Sequence, residues 1–292
     1  MYQINLSSKY KMWGWIFVFP ATAFIFILCF YPMIQAFILS LQSGLGSNLY
    51  FSGLRNYMRL FQDEIFLASL INVLVFLVLQ VPIMLFLALV LAVILNDEKL
   101  KFKGMFRTMI FLPCTVALVS ASIIFRSFFA TEGLINSILL KIGFLSSPIP
   151  WLTHPFWAKI VIVLVTIWRW TGYTSIFYLA GLQNIDNSIY EAARIDGVSA
   201  LQQFSRITIP LLKPIIVLTA IMSTNGTLQL FAEPKTLTNG GPGASTLTLS
   251  LHIYNLSFVY NPQFGYAAAV SYAILILVAC LSLIQIRVGD KS

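Results

Sequence analysis

Six long apolar runs, separated by short polar segments, dominate the pattern along this chain. Each run reaches or passes the roughly 20 residues that an α-helix needs to cross the hydrocarbon core of a bilayer. The pattern therefore predicts an all-α, polytopic membrane protein with six transmembrane helices, organised as a single transmembrane domain over residues 1–292. The predicted spans are Trp13–Leu41, Leu67–Leu95, Phe106–Ala130, Phe156–Leu182, Leu211–Phe231 and Gly265–Ile286.

Composition agrees with this class and excludes a water-soluble domain. The chain is 59% hydrophobic and 10% charged, whereas soluble domains carry about 25% charged residues. The net charge of +8 would suit a nucleic-acid partner, but its distribution indicates topology instead. If the N terminus is cytoplasmic, eleven of the 18 Lys and Arg residues fall in inward-facing segments and five in outward-facing ones. This positive-inside bias predicts two cytoplasmic termini and no nucleic-acid partner.

The first run begins like a secretory signal, with a basic start and a small-residue cleavage pattern at Ala21-Thr22-Ala23. The apolar run nevertheless continues far past that site, to Leu41. We therefore expect an uncleaved first span rather than a signal peptide.

Residues that carry catalysis or proton transfer are sparse. The sequence has no Gly-Lys dipeptide and no Gly-x-Ser-x-Gly motif, so a phosphate-binding Walker loop and a hydrolase elbow are excluded. His154 and His252 lack metal-ligand spacing, and Cys29, Cys114 and Cys280 fall in predicted spans, as small buried apolar residues do. No Asp or Glu lies in a predicted span, although proton-coupled carriers usually depend on intramembrane carboxylates. We expect no catalytic residue, metal site or cofactor in this chain.

One polar segment, "SIYEAARIDGVSALQQFSRITIPLLKP" from Ser188 to Pro214, interrupts the apolar pattern between the fourth and fifth spans. Ser188-x-x-Glu191 and Ser199-x-x-Gln202 both have the spacing of a capping box at a helix start. Gly197 supplies the left-handed conformation that commonly ends a helix. The segment therefore predicts a short helix, a glycine turn and a second helix on the cytoplasmic face. The alternative is an ordinary capped loop.

The spacing within this segment resembles the EAA loop of ABC importer permeases. The matching residues are Glu191-Ala192-Ala193, then Gly197, then Ile207-x-Ile209-Pro210, with Ile209 as the only departure from the family's Leu. A second stretch, Leu237–Phe258, resembles the outer loop of the first permease in sugar importers related to the maltose and glycerol-3-phosphate transporters. Phe111-Leu112-Pro113 and the six-span layout agree with that likeness.

The resemblance implies a MetI-like permease fold in a bacterial or archaeal cytoplasmic membrane. It implies a second homologous permease, two ATP-binding-cassette subunits that hold ATP and Mg, and an extracytoplasmic sugar-binding protein as partners. The chain would have a cytoplasmic EAA coupling loop at 188–210 and an extracytoplasmic loop at 232–264. The residues implied in ATPase coupling are Glu191, Ala192, Ala193, Asp196, Gly197, Ile207 and Pro210.

A sugar path needs polar groups and aromatic faces within the bilayer. Candidate path residues are Ser223, Asn225, Gln229, Tyr272, Trp170 and Tyr173, although Ser hydroxyls also bond their own helix and aromatic residues also form interface belts. Arg169 lies near mid-membrane, where a charge is expensive and by default functional. With no acid in a predicted span, its partners would be carbonyls, water, the neighbouring permease or the substrate. We favour a structural or gating role for it over sugar contact.

Two other classes of function remain open from the sequence. A self-contained secondary carrier or channel would move solute without partners, and an integral-membrane enzyme would turn over a substrate in detergent. Within the importer interpretation, a di- or oligosaccharide is the favoured cargo. The alternatives are a polyol, glycerol phosphate or a uronate oligomer.

Overall fold

The computed structural model describes residues 8–97 and 99–291. The predicted cytoplasmic ends of the chain, residues 1–7 and 292, lie outside the described residues. Helices in the N-terminal half of this part are α1 (Ser8–Ile25), α2 (Tyr31–Ser40), α3 (Arg55–Leu60), α4 (Glu64–Asn96), α5 (Lys103–Thr115), α6 (Leu118–Phe128) and α7 (Leu134–Lys141). Those that follow are α8 (Pro155–Gln183), α9 (Asn187–Ile195), α10 (Ala200–Gln203), α11 (Ile209–Leu228), α12 (Ala232–Leu237), α13 (Leu249–Tyr254) and α14 (Phe264–Lys291).

Five helical stretches of the described residues are long and apolar enough to cross a membrane, and the bent pair α5 and α6 can form a sixth. Short π-helical turns extend α1, α10 and α13. Each predicted span therefore has a helical counterpart, and the prediction of a polytopic helical membrane protein is confirmed. The five stretches are Trp13–Ser40, Glu64–Asn96, Pro155–Gln183, Ala200–Leu237 and Phe264–Gly289.

The third predicted span is a broken helix, not the continuous one that we expected. α5 and α6 meet at 95° across two residues with extended backbone, Val116 and Ala117. Pro113 lies in the last turn of α5, and its missing N–H removes one helical hydrogen bond from that turn. The break leaves the carbonyl of Val116 outside both helices, so this carbonyl needs a partner from elsewhere in the fold.

The described residues divide into two compact units. The first comprises 8–62 and 254–272, and the second comprises 63–253 and 273–291. The first unit contains a hairpin that the sequence pattern did not predict, in which β1 (Gln42–Leu45) pairs antiparallel with β2 (Asn48–Phe51). The buried amide of Asn56 stabilises this hairpin by donating to the carbonyl of Ser40 at 2.9 Å and to that of Gln42 at 2.6 Å.

The second unit is built around the packed pair of α4 and α8, against which α11 also packs. Apolar residues fill the contact between the two long helices, including Phe76 and Met84 from α4 and Val161, Ile162 and Val165 from α8. Buried hydroxyls on these helices find local acceptors, as a bilayer-spanning helix requires. Tyr178 and Thr219 join α8 to α11 through their hydroxyls at 2.8 Å.

Gly172 allows α5 to approach α8 closely, and adding a side chain there should destabilise the second unit. A Cβ atom at this position would lie 1.8 Å from the carbonyl oxygen of Ile110. Since that oxygen belongs to backbone, α5 must shift, and we expect Gly172→Ala to lower the free energy of unfolding by about 1–3 kcal/mol. Gly226→Ala is the control, because its Cβ would meet no atom within 4 Å. Thermal unfolding of the detergent-solubilised protein measures both, and equal midpoints would contradict the close approach.

Candidate functional site

A cavity of about 540 Å³ lies in the second unit, between α4, α8 and α11. The segment that links α11 to α12, together with the first residues of α12, lines one side. Its polar lining residues are Gln80, Thr166, Arg169, Thr174, Thr219, Ser223, Thr227, Gln229 and Glu233. Its aromatic lining residues are Trp170, Tyr173, Phe177 and Phe231. This size falls within the roughly 300–1,000 Å³ that is usual for small-molecule sites.

The lining combines aromatic faces with hydroxyls and amides. Two edge-to-face contacts hold three of the rings along α8, with centroids 5.8 Å apart for Trp170 and Tyr173 and 5.2 Å apart for Tyr173 and Phe177. On the facing helices, the hydroxyl of Thr227 lies 3.3 Å from the amide oxygen of buried Gln80. Rigid rings beside fixed hydrogen-bonding groups suit an organic ligand with both apolar faces and many hydroxyls.

Four of the six residues predicted for a substrate path line this cavity: Trp170, Tyr173, Ser223 and Gln229. Asn225 is not among the lining residues, but its side-chain oxygen accepts a hydrogen bond from the amide of Gln229. Tyr272 belongs to the first unit, where its hydroxyl donates to the carbonyl of Met33 at 2.7 Å and its ring packs against Phe37. The structure therefore brings together the four predicted residues on α8 and on the 209–229 segment.

Arg169 reaches the break in the third span. Its guanidinium donates to the carbonyl of Val116 at 3.2 Å, so the exposed end of α5 gains the cationic partner that a helix C-terminus favours. The guanidinium also lies 5.6 Å from the ring centroid of Trp170, within cation–π distance. A carbonyl partner is one of the alternatives that the sequence left open.

Sequence reasoning missed the second charged group of the cavity, Glu233. The predicted fifth span ended at Phe231, whereas the apolar helical stretch runs from Ala200 to Leu237 and includes this carboxylate. Glu233 lies on α12, two residues beyond the fifth predicted span, and reaches the cavity wall from there. Glu233 is 4% exposed and lines the cavity together with Arg169 and Trp170. Only the folded chain brings residues 169 and 233 together, so no local signal pointed to this pair.

Contacts between α12 and α6 hold Glu233 in place. The hydroxyl of Thr236 donates to the hydroxyl of Ser122 at 2.6 Å, and both Glu233 and Pro234 are buried. Because α12 is fixed in this way, the Glu233 carboxylate can keep one position in the cavity wall. Little side-chain entropy is then lost at this residue when a ligand binds.

The polar segment forms a helix, a turn and a second helix, as predicted. The first cap differs from the prediction, because the side chain of Asp186 accepts from the backbone N–H of Ser188 at 2.9 Å, and α9 begins at Asn187. The expected capping box at Ser188 and Glu191 is therefore wrong, since Ser188 already lies inside the helix. The second capping box, Ser199 with Gln202, is confirmed at the start of α10.

Gly197 ends α9 in the predicted left-handed conformation, with φ of +73°. Its N–H bonds to the carbonyl of Arg194 at 3.1 Å, and that of Val198 bonds to the carbonyl of Ala193 at 2.9 Å. These two bonds are the Schellman motif, which satisfies carbonyls at a helix C-terminus. The helix is therefore closed at both ends by local hydrogen bonds.

The surface of this segment combines charge with exposed apolar groups. Glu191, Ala192, Asp196, Gly197 and Pro210 are exposed, whereas Ile207 is half-buried. Ala193 is 7% exposed, so only Ala192 of the two adjacent alanines is open to a partner. Ile195 at 86% and Leu201 at 76% exposure flank the glycine turn. The turn thus carries exposed apolar groups beside the charged side chains of Glu191 and Asp196.

The Asp186 cap provides a pH-dependent test of α9. Hydrogen bonds from the backbone N–H and side chain of Ser188 hold the pKa of Asp186 below its usual range. The cap therefore stabilises α9 fully above the ordinary Asp pKa of about 3.9, and the effect is lost as the pH falls through the lower folded value. Asp186→Ala should speed hydrogen exchange in the first turn several-fold at neutral pH, and the difference from wild type should vanish in acid. A difference that persists in acid would contradict an ionised cap.

A family model and individual known proteins that resemble this chain all describe membrane components of transport systems. Residues 64–288 match the family model described as "Binding-protein-dependent transport system inner membrane component". The lactose transport system permease protein LacF of Rhizobium radiobacter is 54% identical over 283 residues, which cover 96% of this chain and 95% of that protein. The arabinooligosaccharides transport system permease protein AraP of Bacillus subtilis is 35% identical, over 88% of this chain and 82% of that protein.

A solved structure shows the same fold. A crystal structure of a bacterial ABC transporter involved in the import of the acidic polysaccharide alginate contains a chain that superposes with a TM-score of 0.85. The match covers 97% of this chain and 96% of that chain at 22% sequence identity. At this identity the likeness concerns the fold alone, and it agrees with the MetI-like permease fold expected from the sequence.

Proposed function

This chain belongs to the family of binding-protein-dependent transport system inner membrane components, and from that premise we propose that it passes a disaccharide or short oligosaccharide through the cavity of its second unit. Proteins of this family are the membrane subunits of ABC importers, here of the sugar type, and the chain is a permease rather than an enzyme. ATP hydrolysis belongs to a separate subunit.

The observation that carries the proposal is the lining of the cavity. Trp170 and Tyr173 offer ring faces on which the apolar side of a sugar can stack. Opposite them, Ser223, Thr227 and Gln229 offer hydrogen-bonding groups from one face of the fifth span and its end. The volume of about 540 Å³ is generous for a single polyol and suits a larger ligand. The similarity to a lactose permease makes lactose the first sugar to test.

The proposal includes partners. A second, homologous permease would complete the path, two ATP-binding-cassette subunits with ATP and Mg would lie on the cytoplasmic side, and an extracytoplasmic binding protein would deliver the sugar. We place α9 against an ATPase subunit, with Glu191 facing a basic group there. Exposed Ile195 and Leu201 beside the glycine turn support this placement, since they offer apolar area for a partner to bury.

A closed, hydrogen-bonded helix suits the transfer of movement. The cap at Asp186 and the Schellman motif at Gly197 satisfy both ends of α9, so displacement by an ATPase would move it as a rigid piece. Tyr190 and Thr208, whose hydroxyls lie 3.0 Å apart, connect α9 to the start of the fifth span. Movement of α9 would thereby reach α11, which lines the cavity.

Co-purification and uptake together test the proposal. The tagged chain is solubilised gently from membranes of cells that express it with its neighbouring transport genes, and every recovered protein is identified. Recovery of a second permease and an ABC ATPase, with lactose uptake that stops when the ATPase cannot hydrolyse ATP, supports the importer. Uptake that continues without any ATPase would favour the alternative of a self-contained carrier or channel.

A further inference from the structure

We infer that Glu233 balances the charge of Arg169 in the cavity wall, and that this balance selects uncharged sugars over sugars that carry carboxylates. The inference rests on the proposed function, because it concerns the ligand of the same cavity. It goes further in naming the two residues that would set the charge of the ligand.

The geometry places both charges on one surface. Arg169, Trp170 and Glu233 line the same cavity, and the guanidinium lies 5.6 Å from the ring centroid of Trp170. They are the only Asp, Glu, Lys or Arg residues among those that line the cavity within the described chain. The net charge of the wall therefore depends on these two groups alone.

Burial makes the balance necessary. A lone guanidinium in a span is expensive, and an unpaired buried carboxylate is equally so. Glu233 is 4% exposed, and Arg169 is the only cationic residue of the described chain that lines the cavity with it, so the guanidinium is the group available to offset the cost of burying a carboxylate there. Arg169 itself is anchored to Val116 at the helix break, so it cannot move away to meet a ligand without releasing that carbonyl.

The consequence for ligands follows from Coulomb's law. An uncharged sugar meets a wall whose two charges cancel at a distance. A uronate brings a further negative charge next to Glu233, and the Arg169 guanidinium is already hydrogen-bonded to the carbonyl of Val116. Replacing Glu233 with Gln removes the repulsion and leaves the positive charge of Arg169 unbalanced, so the wall attracts the acid and the preference should reverse.

Charged thiol reagents measure this potential without any sugar. Ser223→Cys places a thiol on the cavity wall, in a chain where Cys29, Cys114 and Cys280 are changed to alanine. The rate ratio of labelling by an anionic and a cationic methanethiosulfonate reports the local potential. Glu233→Gln keeps the shape of the side chain and removes its charge, and we expect it to raise the anion-to-cation ratio by about tenfold or more. Glu132→Gln, an exposed acid that does not line the cavity, is the matched control and should leave the ratio unchanged.

Two further variants are included so that the test still gives an answer if Glu233→Gln fails to fold. Arg169→Gln should lower the ratio by a comparable factor, and the double variant with Glu233→Gln should return it close to the starting value. A ratio unchanged by Glu233→Gln, in protein that still assembles, would mean that Glu233 is protonated, and it would overturn the inference. A double variant that does not restore the ratio would overturn it as well.

Protection of the thiol introduced by Ser223→Cys then tests selectivity in the assembled transporter. Galactobiose and digalacturonate share linkage and ring configuration and differ in the carboxylates at C6. We expect galactobiose to protect the starting chain about tenfold better, and digalacturonate to become the better protector in Glu233→Gln. Equal protection by both sugars in both chains would overturn the selectivity. A shifted reagent ratio without protection by either sugar would instead contradict the proposed sugar cavity while leaving the charge balance standing.

Discussion

Glu191→Lys should abolish sugar uptake and release the ATPase, while the chain still inserts into the membrane. Glu191 is exposed on α9 and does not close either end of that helix. Asp186 caps the first end, and Gly197 closes the second. Reversing one partner of a buried interfacial charge pair costs about 2–5 kcal/mol. We therefore expect uptake and ATPase recovery to fall by at least about 30-fold, the equivalent of about 2 kcal/mol.

The measurement pairs uptake with co-purification from the same membranes. Glu191→Gln keeps the size of the side chain and removes its charge, so it should lie between wild type and Glu191→Lys. Asp97→Lys is the control, because it makes the same kind of charge reversal at an exposed helix end outside the 188–210 segment. Normal uptake in Glu191→Lys, or an equal loss in Asp97→Lys, would refute a coupling role for Glu191.

Local chemistry explains what could be predicted of this segment. A glycine five residues after the first alanine of the motif must adopt a positive φ for the chain to turn, and Gly197 does so at +73°. Ser199 and Gln202 form a capping box because both partners lie within one turn. The first cap was misassigned because Asp186 and Ser188 are both good capping residues, and the pattern could not tell which of them comes first outside the helix.

The apolar runs predicted the number of spans, since length and hydropathy suffice for that purpose. They could not predict the break between α5 and α6, because apolar residues continue through Val116 and Ala117 without a change of composition. At the break, a tertiary contact satisfies the freed carbonyl, because Arg169 from α8 donates to it at 3.2 Å. The position of Arg169 within a span thus indicated a functional site, but it did not indicate which group the guanidinium contacts.

The sequence predicted the types of residue that line the candidate site, but it did not predict correctly which individual residues do so. Asn225 and Gln229 are four residues apart, which places them on one helix face. Only Gln229 lines the cavity, however, and Asn225 accepts a hydrogen bond from its side-chain amide. Tyr272 has a suitable side chain, but it packs in the first unit against Phe37. Glu233 lies on α12, beyond the fifth predicted span, and only the fold brings it into the cavity wall. Contacts between distant segments decided each of these cases.

Filling the cavity from Gly226 should block uptake without disturbing the ATPase. Gly226 lines the cavity, and a Cβ atom there would meet no other atom within 4 Å, so a larger side chain can enter open space instead of displacing a neighbour. Overfilling a binding site costs roughly 1–3 kcal/mol, or about 5- to 150-fold in affinity. We expect Gly226→Ala to keep near-normal uptake, Gly226→Leu to lose most of it and Gly226→Trp to lose it entirely.

The pattern across the two sites separates translocation from coupling. Gly226→Leu should retain wild-type recovery of the ATPase and lose uptake, whereas Glu191→Lys should lose both. Because Ala favours a helix over Gly by about 1 kcal/mol, Gly226→Ala should also raise the unfolding midpoint slightly, which confirms that the position tolerates a side chain. Full uptake by Gly226→Trp in stable, assembled transporter would show that the sugar does not pass this wall. The path would then have to be sought on the partner permease, and α9 would remain the coupling element of a chain that transmits movement without contacting the cargo.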